Sequence, residues 1–278
     1  MYTFDKTNNM KRLFFGILTL TGTVAMAQNS SSLKLNKGQQ IKVSTSMNMD
    51  MDLGMGTMKT DNNSNALITV LDEKGNDYVI TFTVTKVKMS MDGMGQSMSF
   101  DSEKAEDANS EVGKSVSPKL NIPDTLLLNK TTGIAKPLHD DAPKEEKNAL
   151  MAGLQGQNSG PSDAFLIIPA GKKTGDSWTD SITVKGLQTK RTYNWISSDK
   201  DIATIKVKGT MAGNVEQEVQ GTPMTMSIEM NYNETRTVNS KTNLVLSVSN
   251  DADMKNTMDG MGMTMTSKIL TNTTYSSN

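Results

Sequence analysis

Asp77-Tyr78-Val79-Ile80-Thr81-Phe82-Thr83-Val84-Thr85-Lys86-Val87-Lys88-Met89-Ser90-Met91 carries its large side chains at every second position. Tyr78, Ile80, Phe82 and Val84 share one parity, and Val87, Met89 and Met91 share the other. A period of two is the mark of a strand with one buried face. The change of parity at Thr85-Lys86 predicts a β-bulge, because one extra residue is what exchanges the faces. The same alternation recurs in Ala203, Ile205, Val207 and Met211, and in Met224, Met226, Ile228, Met230 and Tyr232. Leu244, Leu246 and Val248 repeat it, as do Met261, Met263, Met265 and Ile269. Turn chemistry separates these runs at residues 73–77, 129–133 and 239–243. The fold class is therefore mainly β and antiparallel, half-barrel or sandwich-like.

An internal repeat divides the chain. Leu126-Leu127-Leu128-Asn129-Lys130-Thr131-Thr132-Gly133-Ile134 reads like Arg236-Thr237-Val238-Asn239-Ser240-Lys241-Thr242-Asn243-Leu244, and Leu35-Asn36-Lys37-Gly38 parallels Ile168-Pro169-Ala170-Gly171. Two related β units follow, residues 28–138 and 164–278, joined by a polar linker at 139–163. Pro143 and Gly156 bracket a short helix expected through Leu154. The first 27 residues have the form of a signal peptide: Lys11-Arg12, an apolar run over Leu13 to Val24, and Ala25-Met26-Ala27 before a cut at Gln28. That run of about 12 residues falls short of the roughly 20 needed to span a bilayer. No later run is long and apolar enough for a spanning helix.

There is no cysteine, so disulfides and thioether-linked lipid are excluded. The expected signal holds three of the 29 basic and one of the 30 acidic residues, which leaves a mature net charge of −3. That balance argues against nucleic acid as a partner.

Three segments resemble a family of exported Gram-negative bacterial proteins catalogued only as a domain of unknown function. They are the methionine-rich segment Lys88-Met89-Ser90-Met91-Asp92-Gly93-Met94-Gly95-Gln96-Ser97-Met98-Ser99-Phe100-Asp101-Ser102-Glu103, the stretch Ile168 to Trp178, and the Asn129-Lys130-Thr131-Thr132-Gly133 hairpin. The resemblance implies an envelope location, periplasmic or extracellular. It implies no activity, cofactor or catalytic residue.

The residues themselves point away from catalysis. His139 is the single histidine, stands beside Asp140-Asp141 in the polar linker, and lacks a second histidine for a metal set. Gly113-Lys114-Ser115 imitates the end of a phosphate loop, but Ala108 stands where a glycine is required, and Pro118 argues against a helix there. Carboxylate pairs such as Glu145-Glu146 fall in the linker and read as solvated. The chain is read as non-enzymatic, with no cofactor.

Methionine is the distinctive chemistry. Of 22 methionines, 19 follow Gln28, and 17 of these fall in four clusters: Met47, Met49, Met51, Met55, Met58; Met89, Met91, Met94, Met98; Met224, Met226, Met230; and Met254, Met258, Met261, Met263, Met265. Spacing of two places thioethers about 6.6 Å apart on one face of a strand. The candidate ligand-binding set is Met47, Met49, Met51, Met89, Met91, Met224, Met226, Met261, Met263 and Met265, with a lipid or other hydrophobic small molecule as partner. Flexible thioethers suit a surface that re-packs around variable apolar ligands. Two other readings stay open. Thioethers also select Cu(I) or Ag(I), and methionines can be plain packing.

Overall fold

The computed structural model describes residues 31–138, 160–184, 186–219, 222–258 and 263–278. The strands are β1 (Gln40–Asp52), β2 (Thr57–Lys74), β3 (Asp77–Gly93), β4 (Gln96–Asp101), β5 (Asp124–Asn129), β6 (Ala135–Pro137), β7 (Ser177–Val184), β8 (Leu187–Asp199), β9 (Ile202–Val219), β10 (Thr222–Asn239), β11 (Leu244–Met258) and β12 (Met263–Ser277). They form one 12-stranded antiparallel sheet in the order β6-β5-β3-β2-β1-β12-β11-β10-β9-β8-β7, with β4 also on β3. β1 lies beside β12 over its whole length. The two halves of the sequence thus meet in mid-sheet through main-chain hydrogen bonds.

The parity slip in β3 is a bulge. Asn65 pairs with Lys86 and Ala66 with Val84, which leaves Thr85 as the extra residue. Its hydroxyl donates to the Asn65 carbonyl at 3.2 Å. The bulge lets Val84 and Val87 face the same way although they are three positions apart.

The two repeated hairpins share one turn geometry. Asn129 Oδ1 accepts from the backbone N–H of Thr131 and Thr132, and Asn239 Oδ1 accepts from those of Lys241 and Thr242. Both end in a left-handed residue, Gly133 at φ 70° and Asn243 at φ 61°. Glycine and asparagine are the residues that tolerate this conformation.

These two turns close one end of the molecule. Leu33 N–H donates to the Lys130 carbonyl at 2.8 Å, and Asn243 Nδ2 donates to the carbonyl of Ser32 at 3.1 Å. Two adjacent residues reach about 7 Å at most. In a flat sheet β5 and β11 stand five strand spacings apart, about 24 Å. The sheet is therefore curled, and residues 31–35 strap its arms together. Residues 160–168 cross the same end: Ser162 Oγ accepts from Ala135 N–H, and Leu166 N–H donates to the Asn243 carbonyl. Inside lies an aliphatic core that includes Ile41, Ile68, Ile80, Leu128, Ile205, Val238 and Val245. Trp178 stacks on Tyr193 at 5.1 Å between ring centroids.

Gly209 of β9 lies under the ring of Tyr232. A Cβ there would stand 2.0 Å from Tyr232 Cζ. Gly209→Ala should displace the ring and destabilise the protein by about 1–3 kcal/mol. A urea midpoint equal to that of the native chain would refute this contact.

The helix expected through Leu154, and His139 with it, lie outside the described residues. The α-helix among the described residues is α1 (Glu111–Val116), with Ser110 as N-cap accepting from Gly113 N–H. The expectation that Pro118 forbids a helix here is thus corrected. Pro118 sits in the 3₁₀ turn that follows the helix, where its missing N–H is no loss. Gly113-Lys114-Ser115 still forms no phosphate loop, because Ser110 already occupies the N–H of Gly113.

Candidate functional site

Strand register places the methionines on one face. Across the sheet, Met98, Met91, Thr60, Met49, Ile269, Ala252, Tyr232 and Gly209 stand opposite one another in a continuous row. The next row toward the hairpin tips holds Met58, Met51, Ser267, Met254, Met230 and Met211. Every second residue of each strand faces inward, so these rows form the concave lining. The intervening residues of β1, such as Asn48, Asp50 and Asp52, are exposed.

Exposure grades along this face. Met47 is 2% exposed, while Met55, in the turn between β1 and β2, is 70% exposed. Met49, Met211 and Met230 are also buried, and Met51, Met58, Met89, Met91, Met226, Met254 and Met265 are half-buried. The strapped end is thus sealed and the opposite end open, with methionines around its mouth. A groove of about 370 Å³ lies at this end beside Met51, Met58 and Ser267, and charged residues of the outer face, among them Asp50, Lys59, Asp253 and Lys268, line the rest of it. Met55 and Met94 belong to hairpin turns, which explains the Met-Gly steps: Gly95 takes φ 76°. Of the candidate set, Met47, Met49, Met51, Met89, Met91, Met226 and Met265 are brought to the inner face. The side chains of Met224, Met261 and Met263 lie outside the described ones.

A second feature of this face escaped sequence reasoning. Along β10 the inward parity runs Met226, Ile228, Met230, Tyr232, and then Glu234 and Arg236 before Val238. Glu234 and Arg236 are each 4% exposed, and Arg236 Nε donates to Glu234 Oε2 at 2.7 Å. On the neighbouring arm Arg191 donates through Nε and Nη2 to both oxygens of Asp180, at 2.8 and 2.9 Å, and Tyr193 donates to Asp180 Oδ2 at 3.0 Å. The signal was available in the pattern: two charges occupy the parity that Tyr232 and Val238 assign to the interior.

Asp163, the last residue of the expected polar linker, completes the cluster from the crossing segment. Burial of its carboxyl pushes the pKa up to about 6; Arg236 opposes the rise and Glu234 adds to it. The residue as a whole is half-buried. Burial likewise pushes Tyr232 up to about 12 and raises Tyr275, whose phenol also feels Asp163 and Glu234. Burial would lower Arg236, but the adjoining Glu234 overrides it and holds the guanidinium charged.

Some buried polar atoms on this face have no protein partner: Tyr275 Oη, Asn250 Oδ1, Thr60 Oγ1, Ser267 Oγ and Asn256 Oδ1. Among the described residues, no group of three or more His, Cys, Asp or Glu is placed to hold a metal. Among them, too, no helix is long and apolar enough to cross a membrane.

No curated protein matches the sequence. Among solved structures, one described as lipid–protein interactions in lipovitellin is similar over 87% of this chain, at 10% identity and a TM-score of 0.51. This chain spans 25% of that one, so the likeness is one of fold to a part of a larger protein. The translocator domain of autotransporter NalP from Neisseria meningitidis aligns over 86% of this chain and 89% of its own, at 7% identity and a TM-score of 0.22. Residues 140–245 match a family model described as a family of unknown function (DUF6263), a span that includes Ile168 to Trp178 and excludes the Lys88 to Glu103 segment.

Proposed function

We propose that this is an exported, non-enzymatic protein of the Gram-negative cell envelope that holds a lipid or other hydrophobic molecule on its methionine-lined inner face. The carrying observation is the convergence of inward methionines from both halves of the chain, graded from buried at Met47 to exposed at the open mouth. A curled sheet sealed at one end and thioether-lined at the other is a pocket for an apolar chain inserted through the mouth. Thioethers re-pack around chains of differing shape at little cost. The fold likeness to a lipovitellin structure supports the same reading.

One observation favours a second reading. Met211, Met230 and Met254 stand directly opposite one another on three adjacent strands, a set of soft donors suited to Cu(I) or Ag(I).

Leucine at these three positions separates the readings. It removes the sulfurs, keeps the volume and should change stability by less than about 1.5 kcal/mol. The leucine variant should still bind the neutral probe N-phenyl-1-naphthylamine, whereas Met91→Asp with Met226→Asp should abolish probe binding by charging the apolar wall. Loss of Cu(I) binding in the leucine variant, with no probe binding in any form, would establish the metal reading instead. Native mass spectrometry of envelope-purified protein should find a chain beginning at Gln28 with a co-purified apolar molecule. A chain that keeps Met1 or Met10 would overturn export.

A further inference from the structure

Toward its sealed end the inner face turns from apolar to polar. Along β10 the inward side chains pass from Met226 through Met230 and Tyr232 to Glu234 and Arg236, about 26 Å from Met226 to Glu234. Asn250 stands directly across from Glu234, and Val248 across from Arg236. Asn250 is 7% and Tyr275 4% exposed, yet Asn250 Oδ1 and Tyr275 Oη have no hydrogen-bond partner in the protein. Arg236 and Val248 share a row with Thr273 of β12, and Tyr275 is the next inward residue on that strand; its phenol feels the charges of Asp163, Arg236 and Glu234.

We infer that Asn250, Tyr275, Glu234, Arg236 and Asp163 seat the polar head of an amphiphile, and that this head carries hydrogen-bond donors and no negative charge. The inference rests on the apolar-binding reading above and names the class of ligand.

Three features select that chemistry. Asn250 Oδ1 can only accept, so the group that satisfies it is a donor. A buried acceptor without a partner is costly, and a donor-bearing head removes the cost. The charges agree. Two carboxylates, Asp163 and Glu234, face one buried guanidinium, Arg236, which Glu234 engages, while Arg191 is engaged at the rim by both oxygens of the exposed Asp180. A carboxylate or phosphate head would add a third negative charge to an enclosed site whose cation is already paired. A hydroxylated or ammonium head adds donors instead. The position fits as well. Arg236 and Tyr275 lie deeper than the methionines on the same face, and Asn250 and Glu234 share the row of Met47 and Met89, so a head seated there sends its tail toward the mouth along Tyr232, Met230 and Met226.

The test uses the full mature chain and three amphiphiles with one oleyl chain: monooleoylglycerol, oleylamine and oleate. Each displaces N-phenyl-1-naphthylamine. The glycerol ester or the amine should displace the probe at roughly tenfold lower concentration than oleate. The two arms distinguish a hydroxyl head from an ammonium head. Asn250→Leu, which removes the unpartnered Oδ1, should raise the concentration required of the preferred ligand by roughly tenfold and shift that of oleate by less than about twofold, with an unchanged far-UV spectrum showing that the variant is folded. Equal displacement by all three, tighter binding of oleate, or an unchanged preference in the Asn250 variant would overturn the head-group site and leave apolar binding standing. Failure of the probe and all three amphiphiles to bind would overturn the apolar-binding reading itself.

Discussion

Arg236→Met should lower the folding stability of the protein by about 3–5 kcal/mol at neutral pH. The guanidinium is buried to 4% exposure and bonded at 2.7 Å to a carboxylate that is equally buried. Removing it takes from the enclosed Glu234 the guanidinium bonded to it, with Asp163 close enough to repel it. Methionine replaces the apolar stem of the side chain but not the guanidinium, so a second variant is needed to separate the electrostatic loss from the space left behind. The companion variant makes that separation. Glu234→Leu combined with Arg236→Met replaces the whole pair by apolar groups, and such replacements are commonly neutral or stabilising. The double variant should therefore recover most of the loss. Urea unfolding at pH 7.5 measures both. A single variant within about 1 kcal/mol of the native chain would refute the buried-pair reading. A double variant as unstable as the single would assign the loss to packing.

The architecture was legible because strand periodicity is a local property. Tyr78, Ile80, Phe82 and Val84 announce the buried face of β3, and the slip at Thr85 announces its bulge, since both depend on side chains two residues apart. The repeated hairpins were legible for the same reason: Asn129 and Asn239 each organise a turn through bonds to the next few residues. Pairing across the chain is another matter. Nothing in the sequence of β1 specifies β12 as its neighbour, and the strap from Leu33 and Ser32 to Lys130 and Asn243 joins residues far apart in sequence. The methionine face was legible from parity. Its gradient from Met47 to Met55 was not, because burial follows from which end of the curl is strapped. The ionic cluster was half legible. Glu234 and Arg236 hold interior parity within β10, but Asp163 reaches them from a segment whose composition reads as solvated. Only tertiary structure encloses its carboxyl.

Asp163→Asn should make the protein more stable at neutral pH, and the gain should disappear in acid. The ordinary carboxylate value of 3.8 rises to about 6 here, chiefly through burial. Asparagine stands in for the protonated acid, with similar shape and no charge. Below about pH 4 folded and unfolded chains both carry the proton, so the native chain and the variant should be equally stable. Between pH 4 and 6 the folded chain retains a proton that the unfolded chain releases. Native stability therefore falls as pH rises through this window, while that of the variant does not. Above pH 6 the carboxylate is ionised in both states, and the variant should lead by about 3 kcal/mol, the free energy that separates a carboxyl at 3.8 from one at about 6. The quantity to measure is the difference in unfolding free energy between the two chains across pH 4 to 8, which cancels the titration of every other acid. A flat difference would mean that the Asp163 carboxyl is solvated. A variant less stable at pH 7.5 would mean that ionised Asp163 supports Arg236 more than its burial costs. A lead that grows between pH 4 and 6 shows an enclosed carboxylate within reach of Arg236 and Tyr275, the charge that a donor-bearing head group would meet.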